Sequence, residues 1–291
     1  MALHFGHRSR RGDALATTSY VAFVLALAMG CGDDDGDSID SGAPEDAAVV
    51  LDAATEDAGE TALDAGADAG PPAVCEPHEL TCVDQHIAGL GLLEDPNTST
   101  ITNEALGDGL FRTTMDTRAG GLNPTMSYVY VRFTDEGAVQ LPLHDLAALE
   151  DLDWELAVRR YVARINSGVG GPGCVTAARA MPGTEIETLT TLPETSPTRE
   201  EEYLSESCMV VPDTSGIGAP ATALSSFWTY VSCVQMTGNV YVMTLGNGRH
   251  VAIEFETYYP PDVQAVCDET GSLPSGPSGS GNVQILWRFL D

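Results

Sequence analysis

The sequence has 291 residues, 43 of them acidic and 13 arginine with no lysine, which sets a formal net charge of −30. That balance removes nucleic acid as an expected partner, because phosphate binding depends on clustered Lys and Arg. Much of the acid lies near the N-terminus, and roughly two hundred residues remain beyond it, enough for one domain with a sizeable core.

Residues 1–30 read as a secretory signal. Arg8, Arg10 and Arg11 precede an uncharged run from Tyr20 to Met29. The run is about half of the roughly 20 residues that a transmembrane helix needs. Its end, Ala28-Met29-Gly30-Cys31, resembles the lipobox of bacterial lipoproteins, with alanine in place of the usual leucine. Cys31 is therefore the expected lipidation site, and acyl chains at about 0.8 kcal/mol per buried CH₂ would anchor the protein to a membrane. The expected location is the bacterial cell envelope, at the outer membrane or cell surface. Residues 31–74 are rich in Asp, Ala, Gly and Pro without a basic residue, and read as a disordered acidic tether. Within it, "DDDGDS" lacks the spaced ligands and closing Glu of a calcium loop.

The domain expected over 75–291 holds Cys75, Cys82, Cys174, Cys208, Cys233 and Cys267, an even set in an exported chain, so disulfides are expected. Six cysteines allow 15 pairings. Proximity in sequence favours Cys75 with Cys82 first, and Cys208 with Cys233 next. No C-x-x-C pair or regular His spacing suggests zinc, and no metal ligand is assigned.

"HIAGLGLLED" is ambiguous, because its glycines weaken a helix. "SYVYVRFTDEGAVQ" alternates as a strand, with Val129, Val131 and Phe133 on one side and Tyr128, Tyr130 and Arg132 on the other. "LPLHDLAALEDL" suits a short helix with Leu146, Leu149 and Leu152 inward. "DLDWELAVRRYVARINSG" is in conflict: its leucines have helical spacing, whereas "YVARIN" favours a strand. "NVYVMTLGNGRHVAIEFETYY" reads as a hairpin turning at Asn247-Gly248, with both turn residues at positive φ. The chain closes on "NVQILWRFLD", where Val283, Ile285, Trp287 and Phe289 share a face. The preceding "GSLPSGPSGSG" is a loop. These elements predict an all-β, mostly antiparallel domain with little helix.

Catalytic signatures are weak. The serines of "NTST", "TSPT" and "SGPSGSG" lack a nucleophile elbow. Asp151/Asp153 and Glu200/Glu201/Glu202 suit a solvated acidic face, and "GVGGPG" (168–173) suits a structural turn. No catalytic residue is assigned, and a non-enzymatic role is expected.

The segment 151–173, "DLDWELAVRRYVARINSGVGGPG", resembles the most recognisable stretch of the HmuY-like lipoproteins. "YVYVRFTDEGAVQL" before it, and "GNVYVMTLGNGRHVAIEFETYY" with "VQILWRFLD" after it, agree in order and spacing. The resemblance covers roughly 108–291. It implies an all-β, mostly antiparallel fold with the Trp154 segment as a strand, in a single domain that the disulfides expected above would brace. It also implies extracellular haem capture through two axial ligands on loops, with transfer to an outer-membrane receptor. The ligand loops should fall within 194–213 and 224–237, where no histidine occurs. Haem is thus not supported by a His pair, and Met209 and Met236 are the candidate thioether ligands. Trp228 and Tyr230, with Phe227, could stack on a planar ligand or belong to the core. A Cys208–Cys233 bridge would tie the two loops together. Two readings follow: a surface-anchored binder of haem or a related planar ligand, or a surface interaction or structural module that has lost haem ligation.

Overall fold

A computed structural model describes residues 75–121 and 123–291; the signal segment, Cys31 and the acidic tether lie outside the described residues. The elements are α1 (Val83–Leu90), β1 (Thr102–Gly107), β2 (Leu110–Asp116), β3 (Val129–Thr134), β4 (Gly137–Leu141), β5 (Leu156–Arg159), β6 (Val162–Ile165), β7 (Thr176–Arg179), β8 (Trp228–Tyr230), β9 (Val234–Met236), β10 (Val240–Thr244), β11 (His250–Thr257), α2 (Pro261–Thr270) and β12 (Asn282–Leu290). Among the described residues no helix is long and apolar enough to cross a membrane.

The strands form a six-stranded sheet in the order β1-β2-β12-β11-β10-β7, a four-stranded sheet β4-β3-β5-β6 and the ribbon β8-β9. Every pairing is antiparallel, as the all-β reading expects. Period-two alternation explains how the sheets stack. Val129, Val131 and Phe133 of β3 meet Val251, Ile253 and Phe255 of β11 and Val283, Ile285 and Trp287 of β12 in the main core between the sheets. The opposite side of β3 is also buried: Tyr128 and Tyr130 join Trp154, Tyr203 and Leu90 of α1 in a second core. A third, with Val242, Ala252 and Leu286, covers the outer face of the six-stranded sheet under Ile186.

The segment whose periodicity was in conflict is the β5–β6 hairpin. Its helical spacing is overridden because Leu156 and Val158 face one core while Ala157 faces the other. Trp154 precedes β5, fully buried, and its indole N–H donates to Ala148 O at 2.9 Å. The β10–β11 turn differs from expectation. Gly248 alone takes positive φ (80°), and its N–H bonds to Leu245 O, so the connection is a wider turn with a left-handed glycine. The expected helix over 141–152 shrinks to a single 3₁₀ turn, Ala147–Leu149, and Leu152 is exposed. The glycines of α1 are explained by packing and termination. A Cβ on Gly89 would sit 2.5 Å from Val210 Cγ2, and Gly91 ends the helix at φ 56°.

Candidate functional site

The β5–β6 hairpin carries two arginines into the second core, because Arg159 and Arg164 alternate with Ala157 and Val162 on the strand face turned toward it. Arg159 is paired with the fully buried Asp145 at 3.3 Å and also donates to Gly91 O at 3.0 Å. Asp145 further accepts from the N–H groups of Leu93 and Tyr128 and from the Tyr130 hydroxyl at 2.9, 2.8 and 2.9 Å. Arg164 is fully buried, and donates to Gly170 O (3.0 Å), the Tyr130 oxygen (2.6 Å) and His86 Nε2 (3.2 Å). The Tyr128 ring lies between the two guanidiniums, 4.2 Å from that of Arg159 and 4.5 Å from that of Arg164.

Because the Arg164 guanidinium can only donate, His86 Nε2 is an acceptor, also bonded to the Tyr203 hydroxyl at 2.7 Å, and the ring proton sits on Nδ1, which is buried without a partner among the described residues. Burial, and then the charge of Arg164, push the imidazole pKa down to about 3. Glu201 is buried beside this network, its oxygens accepting from Ile165 N–H (2.8 Å) and Ala223 N–H (2.9 Å), and burial raises it to about 7. Glu201 is therefore part of the interior, unlike the solvated face expected for 200–202.

Where this network reaches the surface, Tyr128, Arg159, Arg160 and Tyr161 edge a concavity of about 250 Å³, closed by Gly89, Leu90 and the 218–220 turn. Arg160 stands at φ 54° in the hairpin turn, a region costly for a residue with a Cβ, and donates to Gly121 O at 3.1 Å. With Arg159 paired to Asp145 and the Tyr128 ring covered by two guanidiniums, Arg160 and the Tyr161 ring are the groups of this concavity that could meet a flat anionic group. The paired arginines were visible in the sequence only as part of a resemblance; nothing local signalled that His86, Asp145 and Tyr203 converge on them.

The residues singled out from sequence are dispersed. Met209 is 69% exposed on the turn after Cys208, whereas Met236 is half-buried on β9 against the main core, its N–H bonded to Asp268 of α2. Trp228 is core: its indole N–H donates to Tyr161 O at 2.9 Å. Phe227 is core as well, stacked on Phe255 with ring centres 4.0 Å apart, and Tyr230 is exposed. Among the described residues no group of three His, Cys, Asp or Glu side chains could hold a metal ion.

All six cysteines are bridged, in pairings other than those proximity suggested. Cys75 pairs with Cys174, Cys82 with Cys208 and Cys233 with Cys267, at Cα separations of 5.6, 5.4 and 6.1 Å. The chain after Cys75 is held along the 168–174 turn, with His78 bonded to Pro172 O and Gly168 O, which sets Cys75 beside Cys174. The expected Cys208–Cys233 tie is replaced by two separate ones. Cys208 is fastened to the start of α1 and Cys233 to α2, where Gln235 also donates to Cys267 O.

Against known proteins, neither a protein-family model nor a curated protein matches the chain. Solved structures do. The chain is similar to HmuY-like proteins. One, assigned as an HmuY-like heme-binding protein from Bacteroides vulgatus, is 13% identical over 65% of this chain and 96% of its own, with a TM-score of 0.41. A protein from Bacteroides fragilis assigned as a lipoprotein is 13% identical over 64% of this chain and 92% of its own, with a TM-score of 0.39. The apo HmuY analog of Tannerella forsythia is 12% identical over 67% of this chain and 100% of its own, with a TM-score of 0.36.

Proposed function

We propose that this chain is a lipid-anchored, extracytoplasmic, non-catalytic binding module that keeps an HmuY-like scaffold without axial ligation of haem by its methionines. The observation that carries this reading is the fastening of the two expected ligand loops to different helices. The Cys82–Cys208 and Cys233–Cys267 bridges set Met209 beside α1 and Met236 beside α2. The exposed turn that carries Met209 and the half-buried place of Met236 on β9 support a module without bis-methionine ligation of haem. Cys31, with the lipobox-like stretch before it, supplies the anchor, and 31–74 supply the tether. A haemin titration of the purified chain tests the reading: saturable binding at one equivalent that depends on Met209 or Met236 would overturn it. Palmitate labelling tests the anchor; label retained in Cys31→Ala would remove it.

A second reading, capture of haem or another planar anionic ligand without those methionines, has its own support. The concavity that Tyr128, Arg159, Arg160 and Tyr161 edge offers the Arg160 guanidinium beside the Tyr161 ring. An outer-membrane receptor would be the partner in that case. Loss of binding in Arg160→Gln, with Met209→Ala unaffected, is the outcome this reading expects.

A further inference from the structure

In a chain with 43 acidic residues, arginines are expected to find carboxylates. Arg112, Arg118, Arg132, Arg159 and Arg249 do so, and Arg160, Arg164 and Arg288 donate to backbone carbonyls. Arg179 and Arg199 do neither among the described residues, and both are exposed. Register brings them together. Ala177 of β7 bridges Arg199, and Arg179, two residues along, shares the face of Ala177. Tyr241 of β10 pairs with Arg179 and so shares that face too.

These three side chains, with Ser196, Ser225 and Ser226, line a cavity of about 320 Å³ to which, among the described residues, no carboxylate contributes. Tyr241 is buried at its base, and its hydroxyl holds the surrounding turn by donating to Ser225 O at 2.7 Å. Ser226 occupies φ 75°, where glycine would be less strained. Its carbonyl is clamped by the Thr237 hydroxyl (2.8 Å) and the Asn239 amide (2.7 Å), while its own hydroxyl has no partner among the described residues. Glu201, next but one to Arg199, is turned inward, its two oxygens taken by Ile165 and Ala223 N–H groups.

Two adjacent guanidinium forks with hydroxyl donors and no competing carboxylate form a receptor for a tetrahedral oxyanion, since each fork can bond two of its oxygens. We propose that this cavity binds the phosphate or sulfate group of a small molecule, gripped by Arg179 and Arg199. The cavity is large enough for a small organic ligand beyond the anion itself. The site shares no residue with the Tyr128 concavity, so it stands or falls apart from the function proposed above.

The test is calorimetric titration of the full chain at low ionic strength with inorganic phosphate, inorganic sulfate and glucose 6-phosphate, which distinguish the free ions from an ester. The expected result is saturable one-to-one binding of at least one of the three, weakened about ten-fold or more in Arg179→Gln and in Arg199→Gln. Arg132→Gln, the same charge change at an exposed position outside the cavity, should bind as the parent does. Arg179→Lys should retain more affinity than Arg179→Gln, and it keeps the test open if the glutamine variant fails to fold. Absence of saturable binding with all three probes, unchanged affinity in both cavity variants, or an equal loss in Arg132→Gln would each overturn the proposal.

Discussion

Arg164 donates to Nε2 of His86 at 3.2 Å where both side chains are fully buried, so a permanent cation and a neutral imidazole share one interior site. Arg164→Met removes the charge and leaves Gly170 O without its donor. The expected outcome is a loss of about 2–4 kcal/mol in unfolding free energy, typical of breaking a buried polar network. The His86 pKa should also rise from about 3 toward 6.5 without reaching it, because burial is the larger cause. Denaturant unfolding and the pH dependence of the imidazole proton resonances measure both.

Stability should fall away on both sides of mildly acidic pH. His86 has a folded pKa near 3 against an ordinary 6.5, so its contribution is complete above about 6.5 and is lost as the pH falls toward 3. Glu155 and Glu201, raised by burial from 4.5 to about 7, act in the opposite sense. Their contribution is complete below about 4.5 and is lost as the pH rises through 7. Melting temperature against pH should peak between these limits. His86→Gln, which keeps an acceptor for Tyr203 and Arg164 but cannot titrate, should flatten the acid limb; an unchanged limb would count against the assignment.

The three bridges close long stretches of chain, with sequence separations of 99, 126 and 34 residues. Peptide mapping without reduction should recover Cys75–Cys174, Cys82–Cys208 and Cys233–Cys267. Replacing both cysteines of the Cys82–Cys208 bridge by serine should cost about 2–5 kcal/mol of stability, through freedom returned to the unfolded chain.

The glycine-rich turn after β6 is tested by Gly171→Ala. A Cβ there would lie 2.2 Å from Asn166 Oδ1 and 2.6 Å from Trp154 Cζ2. Asn166 itself ties the segment together, donating to Asp151 O and Trp154 O and accepting from Gly173 N–H. The added methyl should lower stability by about 1–3 kcal/mol through overpacking, read from the denaturant midpoint.

That interlock explains why the 151–173 segment was the most recognisable part of the sequence. Trp154, Asn166 and the glycines constrain one another sterically, so their spacing is a structural signature. Alternation likewise exposed β3, β10, β11 and β12, each with one face on the main core. It missed β1, whose residues are all exposed, and the short β8 and β9, too brief to show a period. Helix α2 was overlooked although Pro261 at its start and Gly271 at its end mark its limits. Disulfide partners and the meeting of Arg179 with Arg199 depend on which distant segments lie side by side, and local pattern carries no such information.

The proposed function requires that Met209 and Met236 do not hold haem between them. The direct measurement is a haemin titration of the full oxidised chain, followed in the Soret region, with Met209→Ala and Met236→Ala in parallel. Any spectral change should be the same in both variants as in the parent. A one-equivalent Soret shift abolished by either substitution would contradict the proposed function.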